Sequence, residues 1–128
     1  MKLSGGLRYL GALCLCLSGL ANAEPEPVFD LCAPYVEKSA VGELAAQGGW
    51  PVYVGLTEAG AESFKAFTRE NAGKTIRVQA GARQFARFKI WMPLDSRRLG
   101  GHFVSREEAR AWQRILEDDL PSGPCGVR

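Results

Sequence analysis

Residues 75–92 read TIRVQAGARQFARFKIWM, and they carry the clearest structural signal in the chain. Apolar and polar side chains alternate in both halves of this stretch, and Gly81 lies between the halves. This is the pattern of two antiparallel strands joined by a tight turn. One face of the predicted hairpin is apolar and is expected to face a core; it consists of Ile76, Val78, Phe88 and Ile90.

The opposite face of this hairpin is cationic and carries one aromatic ring. Alternation brings five side chains together there, namely Arg77, Gln79, Arg87, Lys89 and Trp91. Residues 72–104 carry seven basic residues and one acidic residue, so this is the cationic part of the chain. Such a surface suits a protein partner with acidic groups, lipid phosphates or another anionic envelope polymer. The alternative is a solvated sheet face that binds nothing.

A helix is predicted before the hairpin. Thr57 is placed to cap its first turn, and it ends near Gly73, which can adopt the left-handed conformation. Gly60, Phe64 and Phe67 share one face of this helix. We therefore expect that face to pack inward, with a close approach at the glycine.

A second helix is predicted after the hairpin. It begins at Ser105, whose spacing to Glu108 matches a capping box. Strands are predicted before each helix, at 50–56 and at 101–104, and Pro51 indicates that the first of them begins there or is an edge. The resulting order predicts an α+β fold in which a small antiparallel sheet has two helices packed on one face.

Residues 1–23 have the features of a signal peptide. A basic start is followed by an apolar run of about 12 residues and by small residues that end at Ala23. The run is shorter than the roughly 20 apolar residues of a bilayer span. Lys2 and Arg8 would leave with it, so the formal charge of +2 belongs to this segment and the mature chain is near neutral. We expect a periplasmic protein without a transmembrane segment, and no nucleic-acid partner.

The mature chain would keep two cysteines, Cys32 and Cys125. An even pair in an oxidising compartment predicts a structural disulfide, with a reactive or metal-binding role as the less favoured alternative. The bond would tie the extended lead-in and first hairpin arm, residues 24–49, to a C-terminal tail at 123–128. Within the lead-in, the stretch 35–46 fits neither a helix nor a strand period cleanly.

Two groups of short motifs stand between these ends. The first consists of VGLTEAGAESF at 54–64, TREN at 68–71 and GK at 73–74. The second consists of GGHFVSREEA at 100–109, Leu116 and LP at 120–121. They resemble the L-T-x-x-G-A-x-x-F and G-x-F-[ST]-x-E-E-A segments in the head of the first periplasmic domain of the SecD protein-export family. Residues 50–122 are therefore identified as a SecD head-like α+β domain.

The resemblance implies a free-standing periplasmic module that contacts an exported polypeptide or another protein partner. Two positions depart from the family pattern: Ala80-Gly81 replaces an Asp-Gly turn, and Phe85-Ala86-Arg87 stands near a Ser-Ala-Pro element. The membrane-embedded part that couples the family to the proton gradient has no counterpart in these residues. A motor function is therefore not carried over.

The sequence contains no motif that indicates an enzyme. His102 is the one histidine and lies in a predicted strand, where a structural role is expected. We find no nucleophile elbow, phosphate-binding loop or metal-ligand pattern, and we expect no cofactor or metal. The sequence thus predicts a non-enzymatic module that binds through its sheet face or an edge strand. The alternative is a small periplasmic hydrolase or an inhibitor-like envelope protein whose active residues lie in loops.

Overall fold

A computed structural model describes residues 25–127. The predicted signal peptide and its cleavage site at Ala23 lie outside the described residues. The strands are β1 (Val28–Leu31), β2 (Val36–Val41), β3 (Trp50–Leu56), β4 (Thr75–Ala80), β5 (Arg83–Lys89), β6 (Arg98–Phe103) and β7 (Gly126–Val127). The helices are α1 (Glu58–Glu70) and α2 (Arg106–Asp118). The predicted α+β class is confirmed.

The described strands form two sheets, so the prediction of a single antiparallel sheet is wrong. One sheet is mixed, with the order β5-β4-β1-β7, and the other is antiparallel, with the order β2-β3-β6. The division arises because β4 of the predicted hairpin pairs with β1 in parallel and not with β3. β3 instead lies between β2 and β6, so Pro51 marks the start of a central strand and not an edge.

The first helix packs against the mixed sheet. The rings of Phe64 and Phe67 lie 5.1 and 5.3 Å from the ring of Phe29 in β1. The Thr57 hydroxyl accepts a hydrogen bond from the amide of Gly60 at 3.1 Å, which confirms the predicted cap. A Cβ atom at Gly60 would lie 2.5 Å from the carbonyl oxygen of Tyr35. The predicted close approach therefore occurs, and its partner is the backbone of the 3-10 turn Ala33–Tyr35.

The second helix covers the other sheet. The Trp112 ring packs on Phe103 of β6 and on Phe85 of β5, with ring centroids 5.7 and 5.3 Å apart. The Ser105 hydroxyl accepts a hydrogen bond from the amide of Glu108 at 3.1 Å, as predicted. The Glu108 carboxylate reaches back one residue further than expected, to the amide of Val104 at 3.3 Å. Each helix thus has a sheet of its own, and the two are not side by side on one face.

The N-terminal lead-in contributes an inner strand that the sequence analysis missed. Phe29 and Leu31 of β1 are fully buried, and β1 lies between β4 and β7. Directly after β1, Cys32 is bonded to Cys125, and the two Cα atoms are 5.2 Å apart. The predicted disulfide is therefore confirmed. It fixes β7 beside β1 and so closes the mixed sheet with residues from both ends of the described chain.

A candidate binding groove between the two sheets

A groove of about 760 Å³ runs between β5 and β6. Each of these strands lies at the outer edge of its sheet, β5 in the mixed sheet and β6 in the antiparallel one. An edge strand presents a row of backbone amide and carbonyl groups that no neighbouring strand pairs. The groove therefore lies between two edge strands that are not paired with each other.

The two strands approach each other most closely where Phe85 faces Gly101. A Cβ atom at Gly101 would lie 2.7 Å from the carbonyl oxygen of Phe85, so any side chain at this position would push the strands apart. Phe85 is an additional residue in β5, because Val78 pairs with Ala86 and the next residue of β4 pairs with Gln84. This bulge turns Phe85 into the core, although strict alternation placed it on the outer face.

The lining of the groove combines apolar and cationic side chains. The apolar part is formed by Phe85, Ala86, Phe88, Leu94, Leu99, Phe103 and Val104. Arg87 and Arg98 carry the positive charges of the lining, and Glu108 carries its one negative charge. Arg98 stacks over the Tyr53 ring at 4.5 Å, and within residues 25–127 it has no carboxylate partner. The groove is thus suited to an extended chain that carries both apolar and acidic side chains.

The register of β4 and β5 brings the predicted cationic residues to one face. Arg77 lies directly opposite Arg87, and Lys89 lies opposite Thr75. Gln79, however, is only 8% exposed, so its prediction as a surface contact is wrong. It belongs to the inner strand β4, where it pairs with Asp30 of β1 and Gln84 of β5.

Glu26 from the N-terminal lead-in holds two of these cations. Arg87 donates hydrogen bonds to its carboxylate from Nε at 2.9 Å and from Nη2 at 2.5 Å. Arg77 Nε lies 3.7 Å from the same carboxylate. The hydrogen bond from Arg87 lowers the pKa of the Glu26 carboxyl, desolvation opposes this, and the charges of Arg87 and Arg77 add to it. A ligand on this face would have to compete with Glu26.

Lys89 and Trp91 remain accessible. Trp91 is 80% exposed, and the Lys89 ammonium lies 4.4 Å from the centroid of its ring. The predicted set of five therefore separates by environment: Arg77 and Arg87 pair with Glu26, Gln79 is buried, and Lys89 with Trp91 faces solvent. The residues of β6 in the groove were not predicted, because no local signal shows which strands end up at sheet edges.

His102 lines the groove, but it has no partner there for nucleophilic catalysis. No serine, threonine or cysteine is among the described residues that line the groove. Across residues 25–127 no three His, Cys, Asp or Glu side chains are grouped so that they could hold a metal ion. In that same range, no helix has the length and apolar character that a membrane crossing requires.

Comparison with solved structures identifies the architecture. The chain superposes on SecDF, described as a membrane component that enhances protein export, with a TM-score of 0.60 and 21% identity. The fold is SecD-like. A second SecDF structure, in a super-membrane-facing form, gives a TM-score of 0.59 and 21% identity. The SecD-like region covers 75% of this chain, but only 43% and 13% of the two SecDF chains.

The SecD-like resemblance is therefore one of fold, and the chain spans less than half of the SecDF proteins that it matches. No protein-family model matches the sequence, and no curated protein matches it. The Cys32–Cys125 bond adds a further indication, because disulfides form and persist in oxidising compartments. The disulfide therefore favours an exported protein.

Proposed function

We propose that this protein is a non-enzymatic periplasmic binding module that holds an extended, acidic segment of a protein partner in the β5–β6 groove. One observation carries the proposal: the groove lies between two sheet edges and has an apolar lining, with the exposed guanidinium of Arg98 beside it. Binding through an edge strand was one of the two modes predicted from the sequence. The other mode, through the outer hairpin face, is weakened because Glu26 already occupies Arg77 and Arg87.

An extended polypeptide fits the geometry of the groove. A strand that joins an open edge gains main-chain hydrogen bonds, and alternate side chains enter the neighbouring pockets. β6 has six residues, which corresponds to about 20 Å of extended chain. Phe88 and Leu94 offer half-buried apolar contacts to side chains on one side of such a segment.

The charge of the surroundings favours an acidic partner. Arg98 lines the groove and is exposed, and in the described part of the chain it is not paired with a carboxylate. Opposite charges across an interface speed association and exclude partners of like charge. We therefore expect acidic residues within or beside the bound segment.

The SecD-like fold supports an exported polypeptide as the partner. The first SecDF structure is described as that of a component that enhances protein export, and an extended segment of a polypeptide is the ligand that an edge strand can accept. The hydrolase alternative finds no support in the groove, where His102 has no hydroxyl or thiol beside it among the residues described. An anionic envelope polymer is retained as an outcome of the test below.

The test is a binding measurement with a fluorescein-labelled peptide of alternating glutamate and valine, as long as β5. Fluorescence anisotropy should show saturable binding to the wild type. Arg98→Glu should weaken binding roughly 3- to 10-fold, because it replaces a rim attraction with a repulsion. The matched control is Lys38→Glu, which makes the same charge change on β2, the edge strand away from the groove. It should leave the affinity unchanged.

Two further probes examine the mode of binding. A peptide N-methylated at alternate residues lacks half of its amide donors and should not bind, and a lysine–valine peptide should bind poorly. Equal affinities for the Arg98→Glu and Lys38→Glu variants would refute the groove as the site. Undiminished binding of the methylated peptide would refute strand addition. Polyphosphate binding as tight as that of the peptide would instead assign the rim to an anionic polymer.

A further inference from the structure

A pair of large apolar side chains is largely exposed to solvent just beyond β5. Trp91 is 80% exposed and its neighbour Met92 is 65% exposed. The preceding residue, Ile90, is buried, and its backbone is held on both sides: its amide donates to the carbonyl of Lys74 at 2.9 Å, and its carbonyl accepts from Gly73 at 2.6 Å. The exposed pair is therefore displayed from a firmly held backbone.

Two lysines accompany this pair. Lys89 ends β5 and stacks over Trp91 at 4.4 Å, and Lys74 precedes β4 at the same end of the hairpin. Within the range 25–127 neither lysine forms an ion pair. Asp95, the nearest acid along the loop, is paired with Lys65 at 3.4 Å. These residues lie at the open end of the hairpin, opposite the turn at Gly81. We call the surface formed by Lys74, Lys89, Trp91 and Met92 the hairpin tip.

We propose that the hairpin tip docks on an anionic lipid surface. Tryptophan is enriched at the membrane interface, where its ring lies among the headgroups. A methionine beside it adds flexible apolar area, and each lysine near an anionic leaflet adds electrostatic attraction. The combination of an apolar anchor and two cations provides two separate attractions to an anionic leaflet, apolar burial and opposite charge.

The size of the tip favours a lipid surface over a protein. A tryptophan buries about 150–250 Å², so Trp91 and Met92 together fall well short of the roughly 800 Å² per partner of a stable protein interface. A bilayer has no fixed shape to match and accommodates a projecting side chain. Neither Trp91 nor Met92 lines the β5–β6 groove, so this inference is independent of the proposed function.

The test is co-sedimentation of the full chain, as the expressing cell processes it, with two kinds of vesicle. One contains phosphatidylglycerol and phosphatidylcholine in equal parts, and the other contains phosphatidylcholine alone. Trp91→Ala combined with Met92→Ser should lower partitioning to the anionic vesicles about tenfold, and Lys89→Gln about fivefold. The control is Leu44→Ser, which removes another exposed large apolar side chain away from the tip and should have no effect. All variants share one N terminus, so differences report the substitution.

Tryptophan fluorescence gives a second, independent reading. Trp112 is buried and Trp50 is half-buried, so the exposed Trp91 should dominate any spectral change. Anionic vesicles should shift the emission to shorter wavelength in the wild type and not in Trp91→Phe. The proposal is overturned if the tip variants sediment with anionic vesicles as the wild type does, or if vesicles of phosphatidylcholine alone bind the protein equally well. It is also overturned if the only binding that depends on Trp91 is the capture of a protein in the absence of lipid.

Discussion

Opening the Cys32–Cys125 bond should remove a large share of the stability of the fold. The bond joins residues 93 positions apart, and it lies between β1 and β7, which pair through Phe29 with Val127 and Asp30 with Gly126. Only this short pairing holds the C-terminal strand to the sheet. The crosslink therefore acts mainly by restricting the conformations of the unfolded chain, and it adds few contacts to the folded chain.

The magnitude follows from the length of the closed loop. Restricting a loop of this length costs the unfolded chain about 4.7 kcal/mol of entropy at 25 °C. Small domains are stable by about 5–15 kcal/mol in total. Losing the bond should therefore lower the free energy of unfolding by about 3–5 kcal/mol. The protein should still be folded at 25 °C but only marginally stable.

Urea unfolding monitored by far-ultraviolet circular dichroism measures this loss. The Cys32→Ala/Cys125→Ala double variant should unfold at a urea concentration lower by about 2–4 M than the oxidised wild type. The slope of the transition should steepen, because an uncrosslinked unfolded chain exposes more surface. Reduced wild type is the control: it keeps both sulfur atoms and so separates the crosslink from the packing of the buried Cys32 side chain.

A loss below about 1 kcal/mol in the reduced wild type would refute this reasoning. It would mean that the ends of the unfolded chain stay close without the bond. A far larger loss in the double variant than in the reduced protein would show that packing around Cys32, and not loop entropy, carries the stability.

Two further substitutions examine how the mixed sheet is held. Gly60→Ala should destabilise the protein by about 1–2 kcal/mol in urea unfolding, because the added methyl group would meet the Tyr35 carbonyl, which cannot move aside. The control is Ala66→Gly at an exposed position of the same helix, which measures the difference in helix propensity between alanine and glycine without any packing change. A Gly60→Ala variant more stable than the wild type would contradict the close packing at Gly60. Glu26→Gln should lower stability at neutral pH, because the pKa of Glu26 lies below its ordinary value of 4.5 in the folded state. That contribution is present above the unfolded-state pKa and is lost as the pH falls through the folded-state pKa. Unfolding curves of wild type and Glu26→Gln should thus converge below pH 4.5, and a constant difference would exclude the Arg87 pair as the cause.

The parts of the fold that depend on neighbouring residues were predictable from sequence. The Thr57 cap and the Ser105–Glu108 pair are set by groups within three residues of each other, and both occur. The hairpin required only alternation around Gly81, which has a positive φ of 63°. The SecD-like motifs fall at helix starts and turns, so they carried the fold and not the site.

The parts that depend on distant pairings were not predictable. β1 is a four-residue strand between prolines and a 3-10 turn, and only its parallel pairing with β4, about 50 positions away, makes it an inner strand. This pairing splits the strands into two sheets. The groove arises in turn from that split. β4 lies between β5 and β1, and β6 pairs only with β3, so β5 and β6 are each left at the outer edge of a sheet.

The groove and the hairpin tip are joined by one short, anchored segment. Ile90 is held by the backbone at Lys74, and the amide of Leu94 donates to the buried Thr68 hydroxyl at 2.9 Å. Three residues lie between Ile90 and Leu94, so the two Cα atoms are at most about 14 Å apart. Leu94 lines the groove while Trp91 lies at the tip. A polypeptide bound in the groove would therefore be held close to any lipid surface on which the tip docks.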